Sequence, residues 1–88
     1  MADPFELASA IIMIYTAGIA FYVAKRAAGV GIEYLLLSLL LGFMVLFHGA
    51  HHLSAYLQLP DFEDAFDFGA SILAVALALD YVYVSRRT

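Results

Sequence analysis

Three long apolar runs fill almost the whole chain and leave room for only short polar breaks between them. A helix that crosses a bilayer needs about 20 consecutive, mainly apolar residues. Such runs extend from about Phe5 to Ala24, from about Ile32 to Leu59, and from about Phe62 to Val84. In lipid every backbone polar group must be satisfied within the segment, so runs of this kind fold as helices and not as open strands. The expected fold class is therefore all-α: a single integral membrane bundle of three transmembrane helices spanning residues 1–88. The second run is longer than a bilayer requires, so it should tilt or protrude into the headgroups.

Composition supports lipid as the solvent. Hydrophobic residues make up 65% of the chain and charged residues 14%, against roughly a quarter charged in a soluble domain. Cysteine is absent, which removes disulfides, thiolate metal sites and cysteine nucleophiles. There is no tryptophan either, so tyrosine alone would supply an interfacial belt. No Lys/Arg-rich stretch is present, and nucleic acid is not an expected partner. The N-terminal residues carry no positive n-region and no obvious small-x-small cleavage site, so the first helix reads as a mature span.

The breaks have recognisable signals. Asp3-Pro4 supplies an N-cap and a first-turn proline for helix 1. Gly29-Val30-Gly31 separates the first two helices. Pro60 opens the third, with Asp61, Glu63 and Asp64 at its start, where the positive end of the helix dipole favours them. Lys25, Arg26, Arg86 and Arg87 fall on one side of the folded-back chain, and Asp3, Glu6, Asp61, Glu63 and Asp64 on the other. The positive-inside rule then predicts a multi-pass protein of the cell membrane with its N-terminus outside and its C-terminus cytoplasmic.

Small and polar residues recur at helical spacing. In the second helix Ser38, Gly42, Val45, Gly49, His52 and Tyr56 form one stripe, and in the third Asp67, Ser71, Ala74, Ala78 and Tyr81 form another. The first helix offers Ser9, Met13, Thr16 and Ala20. Packing rather than hydrophobicity drives helix association in lipid, and small residues allow close approach. These stripes are the expected seams of the bundle.

The residues that carry chemistry are Phe47-His48-Gly49-Ala50-His51-His52. His48 and His52 are four apart and share a helix face; His51 lies to the side. Counted back from Pro60, the cluster lies roughly 12–18 Å below the outer surface at 1.5 Å per residue. Polar groups at that depth cost several kcal/mol unless they are paired, and intramembrane ionisable residues mark functional sites. Imidazole suits zinc, copper, iron, nickel and haem. The expected metal residues are His48, His52, His51 and Asp67. Asp67, level with His52 and Leu53 by equal counting from Pro60, is a direct ligand, a carboxylate that orients an imidazole, or an acid that snorkels to the outer headgroups with Asp64. Glu6 reads first as a solvated first-turn acid and second as a ligand. Met13 reads as packing before it reads as a soft copper ligand, and Tyr15 is a weaker candidate to reach the cluster. Asp80 is expected to pair with Arg26, Lys25 or Arg86, and Glu33 to be an ordinary N-terminal acid. No phosphate loop, nucleophile elbow or hydrolytic triad is present, so no enzyme activity and no catalytic residue is expected.

On these residues the chain resembles the N-terminal transmembrane domain of ethylene receptors and related bacterial and archaeal sensor proteins. That domain has three helices with the N-terminus outside, and its second helix carries an apolar run followed by Cys-Gly-Ala-Thr-His. Here Phe43-Met44-Val45-Leu46-Phe47 precedes His48-Gly49-Ala50-His51-His52. The first helix of the family ends in an aromatic-Val-basic-basic stretch, similar to Phe21-Tyr22-Val23-Ala24-Lys25-Arg26. The resemblance covers about residues 5 to 57. It implies a copper(I) site, with His52 at the family's histidine and His48 at its cysteine, and Glu6 or Asp3 at its acidic residue in helix 1. Replacing thiolate by imidazole removes the soft donor that favours copper(I).

The leading expectation is a metal-binding transmembrane module, with copper or zinc as the cofactor, acting as a sensor input domain or as a small subunit of a larger membrane complex. One helix cannot close a coordination sphere, so a homo-oligomer is expected. The alternatives are a haem-binding cytochrome-like module, with Gly49 beside His48 leaving room for a flat macrocycle, and a packing subunit whose histidines only hydrogen-bond. A proton path is a fourth, for which Ser38 and Asp80 are poor stepping stones through the inner half.

Overall fold

A computed structural model describes residues 3–87, Arg87 by its backbone alone. It contains three α-helices: α1 (Pro4–Ala27), α2 (Ile32–Tyr56) and α3 (Pro60–Arg87). Each is long and apolar enough to cross a membrane. The expected all-α, three-helix membrane bundle is what the chain forms.

Local chemistry sets the ends. The Asp3 carboxylate accepts from the Phe5 N–H at 2.9 Å, and Pro4 occupies the first turn of α1. That satisfies one of the free amides a helix start leaves open. The end of α2 differs from expectation. The helix stops at Tyr56 and not at Leu59, because Gln58 adopts a left-handed backbone with φ 61°. The Leu59 N–H then bonds to the Ser54 carbonyl (2.9 Å) and the Gln58 N–H to the Ala55 carbonyl (3.1 Å). This is a Schellman closure, built with glutamine where glycine is usual. Pro60 follows and starts α3.

Helix α2 is the centre of the bundle and packs against both neighbours, whereas among the described residues no Cα of α1 comes within 8 Å of one in α3. The α1–α2 seam uses small residues. Ala10, Ala17, Ala20 and Ala24 of α1 are buried, as are Gly42, Val45 and Gly49 of α2. A Cβ on Gly49 would lie 3.0 Å from the Met13 Cβ and 3.3 Å from the Ile14 backbone nitrogen. Only glycine lets the two backbones approach so closely. The stripe expected in the second helix is therefore the α1 seam.

The α2–α3 seam is built differently. Phe47 lies over Gly69 and meets Phe66 edge to face, ring centres 5.8 Å apart. Ala70 is buried, and Leu73 and Leu77 are half-buried. The small stripe expected to form this seam is not in it: Asp67, Ser71, Ala74, Ala78 and Tyr81 are all exposed. Bulky residues seat α3, and its small and polar residues are turned toward the gap that separates α3 from α1. The result is a lengthwise cleft with α2 as its floor.

Candidate metal centre

The histidine cluster lies in the last three turns of α2, beside the starts of α1 and α3. Two residues, one from each of those helices, hold it. The His52 Nδ1–H donates to Oε2 of Glu6 at 2.6 Å, and the two side chains are 22% and 32% exposed. The His51 Nδ1–H donates to the backbone carbonyl of Glu63 at 3.0 Å. A carbonyl and a carboxylate only accept, so these partners assign the proton of both rings to Nδ1 and leave each Nε2 with its lone pair. His52 turns that Nε2 toward Nε2 of His48, 3.2 Å away. The three rings lie with centres 4.7, 5.2 and 5.9 Å apart.

The arrangement follows from helix geometry. His48 and His52 are one turn apart on the same face, and that face continues the Gly42–Gly49 stripe toward α1. Because Gly49 draws α1 close, Glu6 in the first turn of α1 arrives beside His52. His51 is rotated toward α3 and meets the first turn of that helix. The imidazoles of His52 and His51 are thus each fixed by a bond to a different helix.

Two nitrogens on one tetrahedral transition metal, each at 2.0–2.1 Å, are separated by about 3.3 Å. The 3.2 Å between the His48 and His52 nitrogens lies close to that value. It is also the length of an N–H···N hydrogen bond, with His48 as donor. Among the described residues no group of three or more His, Asp or Glu side chains is arranged to hold a metal ion. One chain by itself offers a pair of imidazoles backed by a carboxylate.

Other expected residues stand elsewhere. Asp67 is exposed and lines the α1–α3 cleft together with His48, Met13, Met44, Val45, Ala70, Ser71 and Ala74. It stands beside His48, a turn deeper than the level of His52. The cause is the Schellman turn: the chain reverses near Leu57 and Gln58, so counting from Pro60 places α3 too shallow. Pairing of Phe47 with Gly69 and of His51 with Glu63 gives the true register. Met13 borders the cleft. Tyr15 is 73% exposed and points away from the cluster. Arg26 bonds to the Tyr22 hydroxyl at 3.1 and 3.3 Å and does not meet Asp80. Among the described residues no ion pair joins Asp80 to Lys25, Arg26 or Arg86, and its Oδ2 is buried with no hydrogen-bond partner.

Glu6 is the residue that sequence reasoning placed too low. It is separated from His52 by 46 residues, so no local spacing links them. The signals available were that both lie at the acidic end of the bundle and that the resemblance sets Glu6 or Asp3 at an acidic residue of the first helix. No family model, no curated protein and no solved structure matches the chain.

Proposed function

We propose that the chain is a metal-binding transmembrane module in which His48 and His52 ligate a transition metal, copper or zinc, through their Nε2 atoms. The observation that carries this reading is the chain of contacts Glu6–His52–His48, with 2.6 Å and 3.2 Å between successive atoms. A ligating histidine characteristically donates its second ring N–H to a carboxylate, which fixes the tautomer and raises the basicity of the ligating nitrogen. Glu6 does this for His52. The Glu63 carbonyl does it for His51, which leaves the His51 Nε2 available as a further donor. Purely imidazole donors suit zinc and copper(II) as well as copper(I).

Two imidazoles do not complete a coordination sphere. The remaining positions are filled by a second copy of the chain or by a bound small ligand. The positive-inside rule supports a cell-membrane protein with the cluster near the outer face. Resemblance to the sensor domain supports a role as an input module, or as a small subunit in a larger membrane complex.

Elemental analysis and an absorption spectrum of the purified protein test the reading together. Stoichiometric copper or zinc that is lost in His48→Ala and His52→Ala supports it. A Soret band would assign the cluster to haem. A metal-free, colourless protein that folds equally well without its histidines would leave them as hydrogen-bonded packing groups, the reading that an N–H···N bond of 3.2 Å also fits.

A further inference from the structure

The α1–α3 cleft has features that the metal reading does not use. At its outer end is a cavity of about 350 Å³ lined by Met13, Met44, Val45, His48, Asp67, Ala70, Ser71 and Ala74. Toward the other end an open groove of about 540 Å³ runs between α2 and α3, bordered by Leu37, Ser38, Leu41, Leu77, Ala78, Tyr81 and Val82. Small-molecule sites have this character: several hundred Å³, mostly apolar, with a few placed polar groups. Here the imidazole and the carboxylate stand at one end, and the rest is mainly hydrocarbon, with the Ser38 and Tyr81 hydroxyls as exceptions.

The polar end offers an imidazole nitrogen and a carboxylate. His48 engages His52 through Nε2, and among the described residues no hydrogen-bond partner meets its Nδ1. That Nδ1 donates when Nε2 is a ligand and accepts when Nε2–H donates to His52, so a hydroxyl, which can do both, pairs with it in either case. Asp67, on the facing wall, is exposed, and its carboxylate accepts; the Ser71 hydroxyl is turned back onto the Asp67 carbonyl at 3.0 Å. Ala70 and Ala74 keep the α3 wall low, as a flat ring requires. A carboxylate at this depth is costly without a partner.

We propose that the cleft binds a lipid-soluble quinol. One ring hydroxyl would pair with His48 Nδ1 and another would donate to Asp67, while the apolar tail lies along Leu41, Leu77 and Val82. The occupant must be an amphiphile that enters sideways from the bilayer, because the polar pair stands inside a mainly apolar channel. A phospholipid fits less well: its large charged head belongs at the surface, and the polar end offers no cation for a phosphate. This inference concerns the free side of His48 and the α3 wall, and it is separable from the metal reading.

The test uses the full chain in nanodiscs of phosphatidylcholine, titrated anaerobically with decylubiquinol, whose ring hydroxyls supply the donor that Asp67 needs. Saturable binding above that of empty nanodiscs, with a raised thermal midpoint, is the expected result. Asp67→Asn should weaken binding about tenfold, the scale of one hydrogen bond to a charged group. Ala74→Leu fills the cavity from an exposed position and should abolish binding while metal content stays at the native level. Glu6→Gln should do the reverse, lowering metal content and leaving quinol binding intact. Binding no greater than in empty nanodiscs would overturn the proposal, as would equal binding by the native chain, Asp67→Asn and Ala74→Leu. A changed oligomeric state in Ala74→Leu without changed quinol binding would also overturn it, since the cleft would then be a seat for another helix.

Discussion

Replacing Gly49 by alanine tests whether α1 is seated on α2 as described. The added Cβ would lie 3.0 Å from the Met13 Cβ, 3.1 Å from the Ile14 Cγ1 and 3.3 Å from the Ile14 backbone nitrogen. Carbon atoms rest at about 3.5–4.0 Å, so α1 must retreat by about half an ångström. Overpacking of this kind costs about 1–3 kcal/mol. Part of that loss is masked, because alanine is a better helix former than glycine by about 1 kcal/mol. Gly18→Ala isolates the masked part: Gly18 is exposed and a Cβ there meets nothing within 4 Å. Thermal unfolding in detergent, followed by far-UV circular dichroism, should place Gly49→Ala below Gly18→Ala by about 1–3 kcal/mol. A half-ångström retreat stretches the 2.6 Å bond between Glu6 and His52 without breaking it, so the His52 tautomer should survive. Gly49→Leu cannot be absorbed this way and should separate Glu6 from His52, which nitrogen chemical shifts of the ring would report. Equal stability of Gly49→Ala and Gly18→Ala would refute the close α1–α2 approach, and with it the delivery of Glu6 to the cluster.

Gln58→Gly should raise stability by about 1 kcal/mol, since the left-handed backbone at φ 61° strains any residue with a Cβ; an unchanged or lowered unfolding midpoint would contradict the Schellman closure. His51→Ala should retain most of the metal that His48→Ala and His52→Ala lose, because His51 is turned toward Glu63 and off the shared face; equal metal content in all three variants and the parent would remove the assignment. The native chain has no cysteine, so Asp3→Cys and Glu63→Cys can each be labelled alone. Both should react with an impermeant reagent from outside intact cells, and protection of both would reverse the orientation.

The sequence carried the architecture because lipid leaves few choices. Three apolar runs with short breaks can only be three helices, and the Gly42–Gly49 stripe announces a close helix contact. The α3 stripe misled for a physical reason. Small residues mark where helices can approach, yet Phe47 found its seat on Gly69, and Phe66, Leu73 and Leu77 filled the seam instead. The register of Asp67 depended on where the chain reverses. That depended in turn on Gln58 accepting a left-handed backbone, which nothing in the pattern around Pro60 indicates. Glu6 was hidden by distance along the chain. Asp80 lacks the basic partners expected for it: Lys25 and Arg26 belong to α1, whose backbone stands apart from α3, and Arg86, on its own helix, forms no ion pair with it.

The central claim is that Glu6 orients His52 so that its Nε2 and that of His48 share a metal. Metal affinity of Glu6→Gln, measured beside the native chain by competition with a chelator of known affinity, tests it most directly. Glutamine keeps the shape and can still accept through its amide oxygen, but it lacks the carboxylate charge. Loss of such an orienting partner costs about 10–100-fold in affinity. The account predicts a weakening in that range with helix content unchanged; affinity equal to that of the native chain would contradict it.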